Sequence, residues 1–414
     1  MFQDYQESGP TLLHTKKYLL RGMFRLAPSN TTVANTLRRQ ILVGAPTVGF
    51  RTEPHEVSEV IIKQNTTPLV NEMLAHRIGM IPICADPHTF DPARYEFILD
   101  KENTGKEIQD IHASDFTVIE RDPEDPMDAG HVVPTATFFP PDPLTGDTCL
   151  ITRLRPQWNP IAAHERLNLR ARACVSTGTE NIRWSPVSQC SFQNTLDENP
   201  DRQTAMFTEW CNTSKKIQDL STLSEERQAE LRREYNTMEI QRCFRVGENG
   251  EPNDFTFFVE SVGVRSVPEC VEDALHSIVA MVKKYQDIDA EVPDSVDIHH
   301  GDTRFVCVDF VFKNEDHTLG NLLQHYLVER HIEGAEEPRI SYAGYKVPHP
   351  LKKEMVVRVG LPASQEDQDS ELQSARLVMA KVCRWLKQFF EEMLVDWGTL
   401  HAPPVDATTT NVAE

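Results

Sequence analysis

The chain has 414 residues, and 42 basic against 63 acidic side chains leave a formal net charge of −21. This length, with 39% hydrophobic and 25% charged residues, predicts two or three globular domains. The acidic balance argues against a surface that carries a long nucleic acid, because phosphate binding needs clustered Lys and Arg. We therefore expect a protein or small-molecule partner and no direct DNA contact.

Neither a signal peptide nor a membrane span is predicted, because the first fifteen residues are polar and the richest apolar run, residues 305–312, contains Asp309. Nine cysteines are scattered singly along the chain, which predicts a reducing compartment and mostly buried thiols. Cys174 and Cys190 lack the closely spaced second Cys or His of a four-ligand zinc site. No metal and no cofactor is predicted.

A short repeat relates the two ends of the chain. Thr32–Leu37 (TVANTL) aligns with Thr318–Leu323 (TLGNLL), and each copy begins a predicted helix with one apolar face. The first face consists of Val33, Leu37 and Ile41, and the second of Leu319, Leu322, Leu323, Tyr326 and Leu327. We expect both faces to be buried.

Strands and a closing helix complete each unit. The predicted strands of the first unit are 16–26, 58–64 and 255–262, and those of the second are 304–312, 339–345 and 355–359. The predicted closing helices are 268–285, which Ser266 and Glu269 begin with the spacing of a capping box, and 370–397. The same α+β unit is therefore predicted twice.

The first unit is predicted to contain an inserted domain with Pro-rich and Asp-rich turns, short β-like runs and one charged helix at 224–235. The predicted division is an N-terminal tail at 1–15, the first unit at 16–83 and 246–288, a mainly β insert at 84–245, a linker at 289–301, the second unit at 302–397 and a disordered tail at 398–414. The linker has a flexible reach of roughly 20 Å, and its acidic side chains are expected to keep it extended.

Several motifs of the first unit resemble the alpha-type assembly subunit of cellular RNA polymerases. They are Asn35–Arg39 (NTLRR), Asn65–Thr67 (NTT), Leu74–Pro82 (LAHRIGMIP), Arg183–Val187 (RWSPV) and Phe257–Gly263 (FFVESVG). The second unit resembles the small L-type, or eleventh, subunit through Asp316–Asn321 (DHTLGN) and Ala343–Leu351 (AGYKVPHPL). The chain resembles both subunits fused end to end, as in some nucleocytoplasmic large DNA viruses, which suggests a viral origin.

The resemblance implies two alpha-type dimerisation modules, paired by pseudo-twofold symmetry, that recruit the largest and second-largest polymerase subunits. Small tenth-type and twelfth-type subunits are implied where present, and no homo-oligomer is needed. The large subunits would carry out nucleotidyl transfer, so this chain would supply no catalytic residue. The implied location is intracellular, in the nucleus for a cellular protein and in the host cytoplasm or virion for a viral one. The appended DNA-binding domain of the bacterial relative is not expected after Trp397.

The resemblance also implies that Asn35, Arg38, Arg39, His76, Arg77 and Trp184 bind other subunits. Two adjacent arginines leave a helix about 100° apart, so at least one can face a partner carboxylate, although a solvated helix face is the alternative. His76 and Arg77 precede Gly79, so a structural role at a helix C-cap is the alternative for them. Tyr345 and residues 348–350 are explained as a rigid turn after a strand.

Two other functions remain open. His299, His300 and Asp302 could hold a divalent metal in a stand-alone enzyme, although adjacent side chains of an extended segment point in opposite directions and a solvated linker is the simpler interpretation. The second alternative is a self-associating scaffold without a role in transcription.

Overall fold

The computed structural model describes residues 1–8, 20–125, 128–143, 145–159, 163–220, 223–301, 305–362 and 368–401. Its strands are β1 (Phe2–Ser8), β2 (Arg21–Leu26), β3 (Pro46–Phe50), β4 (Val60–Asn65), β5 (Tyr95–Glu102), β6 (Gln109–His112), β7 (Thr117–Glu120), β8 (His131–Val133), β9 (Leu150–Leu154), β10 (Arg166–Ala171), β11 (Ala173–Thr177), β12 (Val187–Asn194), β13 (Phe255–Ser261), β14 (Val296–His300), β15 (Cys307–Lys313), β16 (Tyr342–Lys346) and β17 (Glu354–Gly360). Its α-helices are α1 (Thr31–Val43), α2 (Asn71–Gly79), α3 (Pro200–Thr213), α4 (Glu225–Met238), α5 (Val267–Lys283), α6 (His317–Val328) and α7 (Gln368–His401). The paired strands are antiparallel, and the predicted α+β class is confirmed.

Two four-stranded sheets have equivalent strands in equivalent positions. Their orders are β1-β2-β13-β12 and β14-β15-β17-β16. In both, two strands are followed by a helix, two more strands and a closing helix, with α1 and α5 in the first module and α6 and α7 in the second. The short sequence repeat at the start of α1 and α6 therefore belongs to an architecture that occurs twice in the chain.

Equivalent residues begin the equivalent helices. The Asn30 side chain accepts the amide of Val33 at the start of α1, and the Asp316 side chain accepts the amide of Thr318 at the start of α6. These caps satisfy amides that a helix leaves without an internal partner. The capping box predicted for α5 is confirmed, with Ser266 and Glu269 each accepting the other's backbone amide.

The two modules share one hydrophobic core. Helix α1 packs against α6, and α5 packs against α7. The long α7 reaches β1 of the first module, where Trp397 packs edge-on against Phe2 and Phe24 at ring-centroid distances of 5.0 and 5.1 Å. Its indole N–H also donates to the carbonyl of Pro268 in α5, at 3.1 Å. None of the described helices has the length and apolarity that a membrane span requires.

Two segments predicted to lack regular structure are edge strands. Residues 1–15 were expected to be a tail, but β1 pairs with β2 and buries Phe2. Residues 289–301 were expected to be a linker, but β14 pairs with β15. Both strands are mainly polar because only one of their faces meets the core, so they lack the apolar content that marks a central strand. Residues 9–15 lie outside the described residues.

The inserted domain was predicted at 84–245, but it begins before residue 84 and ends before residue 245. A second core, separate from that of the modules, already includes Val48, Phe50 and Val60. Strand β3 pairs with β11, and β4 pairs with β10, so the insert runs from β3 to β11. Strand β12 returns to the first module and pairs with β13. The order of strands within a sheet depends on distant partners, which the local sequence pattern does not specify.

Helices α3 and α4 form a second, smaller insertion between β12 and β13. They surround a small core of Phe207, Cys211, Leu231 and Tyr235. The charged helix predicted at 224–235 is confirmed as α4, which Ser224 caps. In the second module, residues 347–353 alone connect the equivalent strands β16 and β17.

The connection between the modules is held against α7 rather than extended by charge repulsion. Ile288 is fully buried, and the Arg376 guanidinium donates to the carbonyls of Ile288 and Asp289 at 2.8 and 2.9 Å. Arg384 donates to the Asp289 carboxylate at 2.7 Å. At the other end, α7 extends to His401, so residues 398–401 are helical and not part of the expected tail; residues 402–414 lie outside the described residues.

Candidate functional site

The apolar faces of the two repeat helices meet inside the shared core. Every residue predicted for these faces is at most 2% exposed: Val33, Leu37, Ile41, Leu319, Leu322, Leu323, Tyr326 and Leu327. The expected burial of both faces is confirmed. We call the contact between α1 and α6 the seam.

Polar contacts cross the seam at both ends of α1. The Arg39 guanidinium donates to the Thr318 hydroxyl at 2.7 Å and to the Asp316 carboxylate at 2.9 Å. The Asn30 amide donates to the hydroxyl of Tyr326 at 3.1 Å, and burial raises the pKa of that hydroxyl to about 12. Sequence reasoning missed Asn30 and Asp316, although their position immediately before each helix is typical of a cap.

The Asp316 carboxyl is stabilised in its charged form. Burial alone would raise its pKa, but hydrogen bonds from the backbone amide and hydroxyl of Thr318, together with the Arg39 guanidinium, outweigh burial and lower it. The same carboxylate therefore caps α6 and pairs with α1.

The adjacent arginines of α1 are used differently. Arg39 forms the seam contacts within this chain, whereas among the described residues Arg38 donates to the Asn35 side-chain oxygen one turn earlier, at 3.2 and 2.9 Å. Arg38 and Asn35 are both half-buried. Arg39 is paired with a carboxylate. Arg38 is not paired with any carboxylate of the described residues.

Helix α2 presents a different surface, on the insert. His76 and Arg77 are exposed, and the Arg77 guanidinium donates to the carbonyls of Ile151 and Leu150 in β9 at 2.7 and 2.8 Å. Gly79 is not the C-cap, because the helix includes it and Met80 is the cap, at φ −92°. A Cβ at Gly79 would collide with the Arg183 guanidinium, so close packing explains this glycine.

Helix α2 and its neighbours expose several large apolar side chains to solvent. Val70, Met73 and Met80 are 57%, 58% and 53% exposed, and Ile61 of β4, against which α2 packs, is 62% exposed. We call these residues, together with His76, the α2 surface. Sequence reasoning missed its apolar members because it considered only the charged pair at the end of the helix.

Trp184 does not reach the surface, which corrects its prediction as a subunit-binding side chain. It is 2% exposed and lies so close to β3 that a Cβ on Gly49 would be 2.8 Å from its ring. The Thr47 hydroxyl donates to its carbonyl at 2.7 Å. The neighbouring Arg183 pairs with Glu53 at 3.2 Å and donates to the Thr52 hydroxyl, so the motif joins β3, its following loop and α2.

The histidine pair offers little to a metal. His299 and His300 alternate along β14, and a carboxylate oxygen of Glu371 lies 3.7 Å from the His300 ring. Asp302 lies outside the described residues. Within the described ranges, no three His, Cys, Asp or Glu side chains are grouped as metal ligands.

The cysteines are free thiols, and seven of the nine are buried. Burial raises the pKa of Cys174 and of Cys190 to about 12, so both stay protonated at neutral pH. They lie on β11 and β12, in the insert and the first module respectively.

Residues 307–394 match the family described as the RNA polymerase Rpb3/Rpb11 dimerisation domain. The chain is 27% identical to DNA-directed RNA polymerase subunit Rpo3 of Methanopyrus kandleri over 266 residues, which cover 62% of this chain and 87% of the relative. It is 24% identical to human DNA-directed RNA polymerases I and III subunit RPAC1 over 64% of this chain and 80% of the relative. It is 34% identical to DNA-directed RNA polymerases I and III subunit rpc19 of Dictyostelium discoideum over 20% of this chain and 67% of the relative. The chain therefore belongs to the RNA polymerase subunits that carry the Rpb3/Rpb11 dimerisation domain.

Proposed function

We propose that the chain is a noncatalytic assembly platform of a DNA-directed RNA polymerase, in which an alpha-type and an L-type subunit are fused and pair within one polypeptide. The observation that carries this proposal is the repetition of one architecture in two modules whose helices share a single core. The match to Rpo3 spans 266 residues, more than the second module at 296–401 contains, and so supports a relationship beyond that module. Fusion makes the pairing intramolecular, which removes an encounter step.

The proposed partners are the largest and second-largest polymerase subunits, with small tenth-type and twelfth-type subunits where present. Arg38 and the α2 surface are the proposed contact regions. Arg38 lacks a carboxylate partner among the described residues, and the α2 surface combines exposed Met73 and Met80 with His76. Exposed apolar side chains next to polar ones are typical of protein interfaces. The proposed location is intracellular, as the resemblance implies.

Co-expression with the two large subunits tests the proposal. We expect a complex that co-purifies in gel filtration. M73D and R38E should weaken it while leaving the thermal unfolding of the isolated chain within a few degrees of the unaltered protein, since neither residue belongs to the core. I108D, which changes an exposed isoleucine of the insert that does not belong to the α2 surface, serves as the matched control.

The proposal would be contradicted if no complex larger than this chain formed with either large subunit. Self-association of the chain in the same experiment would instead favour a scaffold. Metal analysis of the purified chain separately tests the enzyme alternative, because a metal-dependent enzyme would carry a stoichiometric ion.

A further inference from the structure

The connection between β16 and β17 presents a leucine to solvent. Leu351 is 87% exposed, and the residues on both sides of it are exposed as well. We call residues 346–353 the hairpin tip. A single exposed leucine is common on protein surfaces, and the conformation and charge of the hairpin tip are what distinguish this one.

The hairpin tip has a defined conformation. The Leu351 amide donates to the Nδ1 atom of His349 at 3.1 Å, and the Lys352 amide donates to the His349 carbonyl at 3.1 Å. The Lys353 carbonyl accepts the amide of Asn314 at 2.7 Å, which ties the tip to the loop between β15 and α6. Pro348 and Pro350 further restrict the backbone. The backbone at Leu351 is therefore held in place before any partner arrives, which lowers the entropy cost of binding.

The hairpin tip is also positive on an acidic protein. Lys346, Lys352 and Lys353 are exposed, and in the described part of the chain none of them forms an ion pair. The whole chain carries a net charge of −21. A local cluster of lysines around one apolar side chain fits an apolar socket with a rim of carboxylates.

We propose that the hairpin tip docks into such a socket on a partner polypeptide, with Leu351 as the buried anchor and the three lysines paired with carboxylates at the rim. The inference rests on the proposed function in one respect, because it assumes that the partner is a polymerase subunit. It adds a third contact region to Arg38 and the α2 surface, on the other module.

The test measures the affinity of the full chain for the co-expressed large subunits. We expect L351A to weaken binding about tenfold or more, as the truncation of a buried anchor does at other interfaces. The variant K346E/K352E/K353E should weaken binding further at low salt, and this difference should diminish as salt screens the rim charges. The controls are V395A, at a 69% exposed valine of α7, and K106E, at an exposed lysine of the insert.

Each outcome decides the matter. Weaker binding of the tip variants with unchanged controls and unchanged thermal unfolding supports the inference. Equal binding of all variants overturns it and leaves the assembly function intact, whereas no complex with the unaltered chain overturns both. Two further results would contradict the inferred socket. The first is that labelled single-stranded RNA or duplex DNA binds the unaltered chain and not the triple lysine variant. The second is that the tip variants abolish a self-association of this chain.

Discussion

Arg38 and Arg39 illustrate how adjacent residues of one type acquire separate roles. Arg39 reaches across the seam to Thr318 and Asp316, while Arg38 stays on its own helix and contacts Asn35. The 100° turn between successive helical residues produces this division. The pair of arginines could be recognised in the sequence, but the assignment of each one required the position of α6.

We predict that R39A lowers the free energy of unfolding by about 1 kcal/mol, because it removes a hydrogen bond and a partly exposed ion pair from the seam. R38A is the matched control and should leave the free energy of unfolding within about 0.5 kcal/mol of the unaltered chain. Urea denaturation of both variants measures the difference. A larger loss for R38A than for R39A would contradict the assigned contacts.

The lowered pKa of Asp316 makes the seam sensitive to acid. The folded-state pKa lies below the unfolded value of about 3.9, so protonation favours the unfolded chain. The stabilisation is therefore present above about pH 4 and is lost as the pH falls through the folded-state pKa.

D316N isolates this contribution from the many other carboxyl groups. The amide can still cap α6 but carries no charge for Arg39. We expect the unaltered chain to be more stable than D316N at pH 6 and this advantage to shrink as the pH falls below about 4, as measured by urea denaturation at each pH. An advantage independent of pH would show that the charge of Asp316 does not stabilise the seam.

Among the elements, those with local signals could be predicted from the sequence. The apolar stripes of α1 and α6 and the capping box of α5 depend on residues within a few turns. The edge strands β1 and β14 were missed because their partners lie elsewhere in the chain and their outer faces are polar. The insert boundary was misplaced for a related reason, since β3 and β4 follow α1 directly yet belong to the other core. Trp184 was misassigned because a motif does not reveal on which side of a sheet its aromatic ring lies.

Gly320 determines how closely α6 approaches β16. A Cβ at this position would lie 2.9 Å from the Cγ atom of Tyr345, which is closer than real contacts allow. The helix also supplies the Gln324 side-chain oxygen that accepts the Tyr345 amide at 3.2 Å. The glycine of the TLGNLL repeat therefore serves packing between two elements.

We predict that G320A lowers the free energy of unfolding by about 1 to 3 kcal/mol, because the added methyl group forces the Tyr345 ring or the helix to move. Chemical denaturation measures the loss. G398A, in α7, is the control: its Cβ would meet nothing within 4 Å, so the better helix propensity of alanine should raise stability by up to about 1 kcal/mol. Equal stabilisation by both substitutions would contradict the close approach of α6 and β16.

At the scale of the whole molecule, the connection between the modules is a packed element. Asp289 and the carbonyl of Ile288 are bound by arginines of α7, and residues 296–300 continue into the second sheet. Of the acidic residues that suggested an extended linker in the sequence, Asp289 pairs with Arg384 of α7 and Asp297 pairs with Lys313 of β15. Because β1 and α5 of the first module also contact α7, the two modules hold each other independently of the covalent connection.

We therefore predict that the modules stay associated after the chain is cut between them. A site for a sequence-specific protease inserted between Val292 and Pro293, next to the exposed Glu291 and Asp294, would divide the chain at the edge of the core, against which Val292 packs. After cleavage, the fragments should co-elute in gel filtration under native conditions.

Their unfolding midpoint should rise with protein concentration, because pairing has become bimolecular and has lost an effective concentration on the order of millimolar. The uncut chain with the same inserted site should unfold at a midpoint independent of concentration. Separation of the fragments without denaturant would contradict a shared core and would show that the covalent connection is what keeps the modules together.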